Sequence, residues 1–170
     1  MLSTKLQDAL NAQINLELSS SYAYLAMAAH FESNALPGMA NWMRIQSEEE
    51  RTHAMKLFDH MNDRGGKVVL QPIPQPTHDF DTPLSVFEAA LHHEQTVTKA
   101  INTLYSLAQA EADYPSQVML QWFINEQVEE EKNAMTAIDQ LKMAGGNPSA
   151  ILMLDQMYGN RTAEPAGGAD

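Results

Sequence analysis

Residues 65–82 read GGKVVLQPIPQPTHDFDT, and this stretch decides the fold. Pro72, Pro74 and Pro76 crowd its centre. Proline lacks the amide hydrogen a helix needs and clashes with the preceding turn, so the stretch must be extended. Its eighteen residues reach roughly 60 Å when extended. The helical pattern before it, 38–64, spans only about 40 Å. The connection can therefore run the whole length of its neighbour, so that the next helix starts parallel to the last. A loose loop in a simple up-and-down bundle is the alternative. Val68, Val69, Leu70 and Ile73 argue for the crossover, because apolar side chains seek a surface to pack on. The fold class is all-α: a four-helix bundle with one long crossover.

Working outward, Gly and Pro punctuate the rest of the chain. A first helix over 3–33 stops at Asn34-Ala35-Leu36-Pro37-Gly38. A second runs 38–64 and ends at Gly65-Gly66, a common helix-ending signal. Thr82-Pro83 opens a third, reaching 112, because Thr caps a helix start and Pro fits its first turn. Asp113-Tyr114-Pro115 opens a fourth, closed by Gly145-Gly146. Asn147-Pro148 opens a short fifth helix over 149–158. The bundle domain is thus 1–158. The tail 159–170, GNRTAEPAGGAD, is small and polar and is expected to be disordered. The short links between the first and second helices and between the third and fourth make each pair an antiparallel hairpin.

Composition limits the function. The chain has 170 residues, with 10 Lys plus Arg against 22 Asp plus Glu, a formal charge of −12. Such acidity excludes a phosphate-neutralising nucleic-acid binder and draws cations instead. Without cysteine there are no disulfides, thiolate metal sites or thiol catalysis. No apolar run approaches the ~18 residues of a membrane span, and no apolar signal-peptide core opens the chain. The expectation is a soluble, cytoplasmic protein.

Each long helix carries an apolar seam, and each seam is broken near its middle. The three- and four-residue spacing gives Leu6, Leu10, Ile14, Glu17, Ser21, Tyr24, Ala28 and Phe31 on the first helix. The second gives Met39, Met43, Gln46, Glu50, His53, Leu57 and His60. The third gives Phe87, Leu91, Glu94, Thr98, Ile101, Tyr105 and Ala108, and the fourth Leu120, Phe123, Gln127, Glu130, Ala134, Ala137 and Leu141. In helices of similar length these breaks fall in one layer. Glu17, Glu50, His53, Glu94, Gln127 and Glu130 would then converge inside the core.

Taken singly, each has an ordinary reading: a rim glutamate with a solvated head, or a satisfied core histidine. Together they do not. Ionised carboxylates out of water cost several kcal/mol each or take up protons, and here they also repel. No Lys or Arg stands on a seam at that depth. Metal ions are the remaining source of positive charge, and four carboxylates balance two divalent ions. Hard oxygen with one imidazole suits iron, manganese or zinc rather than copper(I).

These residues resemble the di-iron ferroxidase centre of bacterial non-haem ferritins. Asn15-Leu16-Glu17-Leu18, Glu48-Glu49-Glu50-Arg51-Thr52-His53 and Asn125-Glu126-Gln127-Val128-Glu129-Glu130-Glu131 carry the resemblance most specifically. It implies a ferritin-like bundle whose short fifth helix suits the large shells of twenty-four subunits, with Fe(II) and O₂ as the small partners. One iron site would be Glu17, Glu50 and His53. The other would be Glu94 and Glu130, with Glu50 bridging. Gln127 would hold water, and Tyr24 would bond a ligand or supply an electron. Trp122 matches an aromatic near the centre. Glu49, Glu126 and Glu129 would share a third iron site with Glu130, although acidic runs are usually solvated faces. Two departures matter. Gln127-x-x-Glu130 stands where bacterioferritins have a second Glu-x-x-His. Arg51 stands where they have a haem-binding Met, so no haem is expected. The implied activity is oxidation of Fe(II) by O₂ and storage of the ferric product as mineral. The rivals are a di-iron oxidoreductase without storage and a non-catalytic helical assembly module.

Overall fold

The computed structural model describes residues 2–162. Five helices follow one another: α1 (Thr4–Ser33), α2 (Pro37–Asp63), α3 (Pro83–Ala110), α4 (Tyr114–Ala144) and α5 (Pro148–Gly159). Their starts follow from the capping residues. The Ser3 hydroxyl accepts from Leu6 N at 3.1 Å. Thr82 and Ser85 cap α3 reciprocally, which satisfies two otherwise orphaned groups. Asp113 accepts from Ser116 N at 3.0 Å, and Asn147 accepts from Ser149 N and Ala150 N. Gly145 ends α4 with φ 56°, a left-handed conformation that glycine adopts without a Cβ penalty. The expected disordered tail begins at 159, and its residues 163–170 lie outside the described residues. Gly159 still belongs to α5, and Arg161 is bonded to α2 through Asn41 Nδ2, which donates to its carbonyl at 3.2 Å.

The crossover is real, and polar groups register it. Gln7, Asn11 and Asn15 stand one above another on α1 at four-residue intervals. Lys67 N donates to Gln7 Oε1 at 3.2 Å, Val69 N to Asn11 Oδ1 at 2.7 Å and Gln71 N to Asn15 Oδ1 at 3.2 Å. Eight helical residues rise about 12 Å, and four extended residues cover about 13 Å. Alternate loop amides therefore meet successive α1 turns. The apolar argument for the crossover is corrected in part: Val68 packs against the core, but Val69, Leu70 and Ile73 are 43%, 59% and 38% exposed. An extended chain turns neighbouring side chains to opposite sides, so with Val68 facing the helices Val69 and Ile73 turn away; Leu70 is exposed although it shares the side of Val68.

Contacts between helix ends give the directions. Ser3, at the start of α1, bonds Glu111, just past the end of α3. Arg64, just past α2, grips both oxygens of Asp113 before α4 at 2.9 and 2.7 Å. This charge-assisted fork holds the Asp113 carboxyl well below the usual carboxylate range. So α1 opposes α3 and α2 opposes α4, while α2 and α3 run parallel, as the long connection requires.

The core is divided. One apolar cluster surrounds Phe31, Met39, Met43 and Phe87, and the other surrounds Leu6, Leu10, Leu57, Met61 and Phe123. Each such side chain contributes roughly 1.5–3 kcal/mol by leaving water. Between the clusters lies the polar layer. Five seam assignments shift by one position, among them His60 on α2 and Leu91 on α3, where the neighbouring Met61 and Ala90 are buried instead. On α1, Ser20 is buried and Ser21 sits at the flank. On α3, Val97 and Leu104 face inward while Thr98 and Tyr105 lie beside them. A stripe of 3.6-residue period drifts, so a position chosen near one end is off by the other.

Helix α5 caps the first cluster. Asp155 Oδ1 accepts from Met39 N in the first turn of α2 at 2.8 Å. The Tyr158 ring lies 5.6 Å from Phe87, and its hydroxyl donates to Gln140 at 2.5 Å. The backbones of α2 and α5 touch at Gly38, where a Cβ would stand 1.7 Å from the Asp155 carbonyl oxygen.

Candidate metal centre

The polar layer gathers one or two side chains from each of α1 to α4. Glu17, Glu50 and Glu94 are fully buried, and His53, Gln127 and Glu130 are at most 4% exposed. Ligand atoms of Glu17, Glu50 and His53 all lie within 4.8 Å of one another, and so do those of His53, Glu126 and Glu130. Burial alone would not bring carboxylates together. The bundle forces it, because each stands at the midpoint of an otherwise apolar stripe.

The anchoring of these groups is uneven. Gln13 Nε2 donates to Glu17 Oε1 at 2.8 Å. Tyr24 donates its phenolic proton to Glu94 Oε1. Gln46 Nε2 donates to Glu130 Oε2 at 2.7 Å. One oxygen of each of these carboxylates is thus fixed by a neutral donor. Glu17 Oε2, Glu94 Oε2, both oxygens of Glu50 and His53 Nδ1 are buried without a hydrogen-bond partner. Unsatisfied buried groups in such number are rare in native structures and call for an occupant. No Lys or Arg is among the buried residues described.

Electrostatics agree. Burial first, then the charges of Glu94, Glu17 and Glu130, hold the Glu50 carboxyl well above its usual range. Burial raises Glu17 and Glu130 as well, and brings Glu94 up to about 7. Burial, then the neighbouring Lys56 charge, lowers His53 to about 4. Its imidazole is therefore neutral near pH 7, the form that ligates metal. Tyr24 is raised well above its ordinary value by burial and by the carboxylates around it, so it stays a proton donor.

The pH consequence has a definite sign. Without metal, the folded protein holds protons on carboxyls that ionise near pH 4.5 when free. This contribution to stability is complete below that pH and is lost as pH rises through the folded value near 7. A divalent cation must displace the same protons. Its affinity should therefore rise between about pH 6 and 8, with proton release on binding. Zn(II) calorimetry in buffers of different ionisation enthalpy reads both, and a pH-independent affinity would contradict the picture.

The layer holds every residue expected at its centre: Glu17, Glu50, His53, Glu94, Gln127 and Glu130. Tyr24 reaches it through Glu94. Gln127 accepts from Thr98 Oγ1 at 3.0 Å, and that hydroxyl also bonds Glu131 at 2.6 Å. Trp122 packs edge-on to the His53 ring at 5.3 Å and under Lys56 Nζ at 3.5 Å. Of the accessory acids, Glu126 joins His53 and Glu130, Glu49 lies half-buried beside them, and Glu129 is exposed and belongs to neither group. Gln13 escaped a reading centred on charge, and Gln46, though on the α2 seam, had no part in the expected layer. Their signal was spacing, since each stands four residues before a seam glutamate, on the same helical face.

The comparisons with known proteins follow this geometry. A ferritin-like domain family model matches residues 7–144. A bacterial non-heme ferritin of Bacteroides fragilis is 40% identical over 161 residues, covering 95% of this chain and 100% of that protein. One from Staphylococcus aureus is 37% identical over 162 residues, covering 95% and 98%. The open pore ferritin of Archaeoglobus fulgidus superposes with a TM-score of 0.94 at 43% identity, over 95% of this chain and 100% of that one. A match of this extent, on a bundle that encloses a layer of carboxylates and one histidine, shows that the chain belongs to the ferritin family.

Proposed function

We propose that this protein oxidises Fe(II) with O₂ at the layer between α1 and α4 and stores the ferric product as a hydrated oxide inside a shell of its own copies. One observation carries the reading. Glu17 and Glu94 each have one oxygen held by a neutral donor, whereas neither oxygen of Glu50 is held by one. Such uneven anchoring would suit two terminal ligands and a bridge. Glu17, Glu50 and His53 would take one ferrous ion; Glu50, Glu94 and Glu130 would take the other.

Anionic oxygen favours the harder ferric state, which lowers the cost of giving up an electron. Two ferrous ions at a usual two-metal separation of ~3.5–4 Å supply two electrons to one O₂, so no superoxide need leave. Gln13, Gln46 and Tyr24 hold their carboxylates by one oxygen only, which lets the other change its binding as the ions oxidise. Tyr24, bonded to Glu94, is the proposed proton or electron donor. Gln127, next to Glu94, would steady a water. Glu126 and Glu130, with Glu49 and Glu129 further out, would pass a third iron toward the interior. Fe(II) persists in a reducing compartment, so the proposal extends to the cytoplasm. Among the described residues no helix is long and apolar enough to cross a membrane.

Aerobic addition of ferrous salt followed by size-exclusion chromatography tests the proposal. Soluble iron far beyond two ions per chain, co-eluting with a particle of about twenty-four chains, is expected. Oxidation that stops at two ions would favour a plain oxidase. No stoichiometric binding would favour an assembly module.

The assembly part has its own support. Tyr22 and Leu25 on α1 and Val69, Leu70 and Ile73 on the crossover are large apolar side chains left exposed. Large apolar side chains left in water are where copies of the chain would meet. Leu70→Glu with Ile73→Glu should change monomer stability by no more than about 1 kcal/mol yet yield dimers or monomers by light scattering. An intact shell in that variant would remove this surface from the interface.

A further inference from the structure

The chain carries a cation of its own beside the centre. Arg161 follows α5, and its Nη2 donates to Glu49 Oε2 at 2.8 Å. Both side chains are largely withdrawn from water, 21% and 18% exposed. The guanidinium carbon stands 4.8 Å from the Trp42 ring centroid. Asn41 holds the Arg161 carbonyl, and Arg161 N bonds Tyr158 O at 3.2 Å. Two helices therefore fix where this charge sits. Glu49 immediately precedes Glu50, and the Glu49 and Arg161 charges act on Glu130 in opposite senses. The guanidinium is thus within electrostatic reach of a residue of the centre. Its grip is incomplete, because Nη1 is buried with no partner.

We propose that Arg161 is a tethered competitor ion, which holds Glu49 in place of a divalent cation and must be displaced before a metal can bind between Glu49 and the Glu126–Glu130 pair. This inference rests on the reading of the layer as a metal centre and adds a regulator to it. Three observations fit a replaceable ion better than a permanent strut. The contact is a single hydrogen bond rather than the two-pronged pairing that Arg64 makes with Asp113. One donor goes unsatisfied. The guanidinium also lies over the Trp42 ring, a soft cation–π contact that fixes no hydrogen-bond direction and leaves the head free to turn off Glu49. With Arg161 in place the accessory carboxylates are partly neutralised, so a third cation enters only when the two inner sites are filled and free metal is abundant. The device would keep iron on the oxidising pair and release it outward under load.

The test is a redox-inert titration of the metal-free, assembled protein with Zn(II), comparing the unaltered chain with Arg161→Gln. Two tight ions per chain are expected in both. A further, weaker ion should bind about tenfold more tightly in Arg161→Gln, the loss of one charge-assisted contact. Adding Glu49→Gln to that variant should abolish the gain. Arg161→Lys keeps the charge and should stay near the unaltered chain. Equal affinity for the further ion in the unaltered chain and Arg161→Gln would overturn the proposal, even if Arg161→Gln melts earlier. That pair of results would mark Arg161 as a strut alone. If Arg161→Gln does not assemble, Arg161→Met, which keeps a long apolar side chain beside Trp42, gives the same reading. Absence of the two tight ions in the unaltered chain would instead refute the metal centre itself, a separate failure.

Discussion

Replacing Glu50 by alanine should slow rapid Fe(II) oxidation by more than ~100-fold, because it removes the proposed bridge between two metals rather than one outer contact of either, and outer contacts alone cost up to that factor. Glu50→Gln should show the second half of the argument. Its side chain is nearly isosteric but uncharged, and it sits where Glu94, Glu17 and Glu130 repel a carboxylate. Near pH 7 the metal-free Glu50→Gln protein should be more stable than the unaltered one, because it need not take up the proton that burial forces onto Glu50. Each kcal/mol raises the midpoint by about 2–4 °C in a domain of this size. A melting curve without metal and stopped-flow oxidation with iron therefore move in opposite directions. Oxidation at the unaltered rate in Glu50→Ala would break the functional reading, and a lower metal-free midpoint in Glu50→Gln would break the electrostatic one.

The second large effect is expected far from the carboxylates. A methyl group at Gly38 would stand 1.7 Å from the Asp155 carbonyl oxygen and 3.0 Å from Gly159 N. Both are backbone atoms, so no side chain can rotate out of the way. Gly38→Ala should push α5 off α2 and break the bond from Met39 N to Asp155. It should also uncover Trp42 and Tyr158. Overpacking of this kind costs about 1–3 kcal/mol, or full undocking of the short helix. Protease sensitivity between α4 and α5, with α1 to α4 still folded by circular dichroism, is the measurement. An unchanged digestion pattern would mean that α5 has room to shift. The same substitution should loosen Arg161, because its backbone is carried by the end of α5.

Much of this was readable in the sequence for one physical reason: polar residues interrupted apolar stripes of known period. Glu17, Glu50, His53, Glu94, Gln127 and Glu130 each broke a run whose neighbours had to be buried. The position of each break along its helix set a common depth. The helix ends were legible because Thr82, Asp113, Asn147 and the glycines announce themselves chemically. Other features were hidden for equally physical reasons. Whether Ser20 or Ser21 faces inward depends on a phase difference smaller than one residue, and tertiary packing settles it. Gln13 and Gln46 carry no charge, so only spacing marked them, and that Gln46 bonds Glu130 on another helix is visible only in three dimensions. Arg161 lies among small polar residues that look like a tail. Nothing local says that the end of α5 will bring it to Glu49, 112 positions earlier in the chain.

The bonds from Gln7, Asn11 and Asn15 to alternate amides of the crossover bear on how such a chain can change in length. Two strap residues advance by one helical turn, so pairs are the natural unit of insertion or deletion within 67–71. One added residue would reverse the facing of everything after it and turn Val68 toward water. Beyond Gln71 no such ratchet operates on α1, and the prolines there can accept odd or even changes alike. Length variation among kindred sequences should therefore gather in the second half of the strap and spare the first.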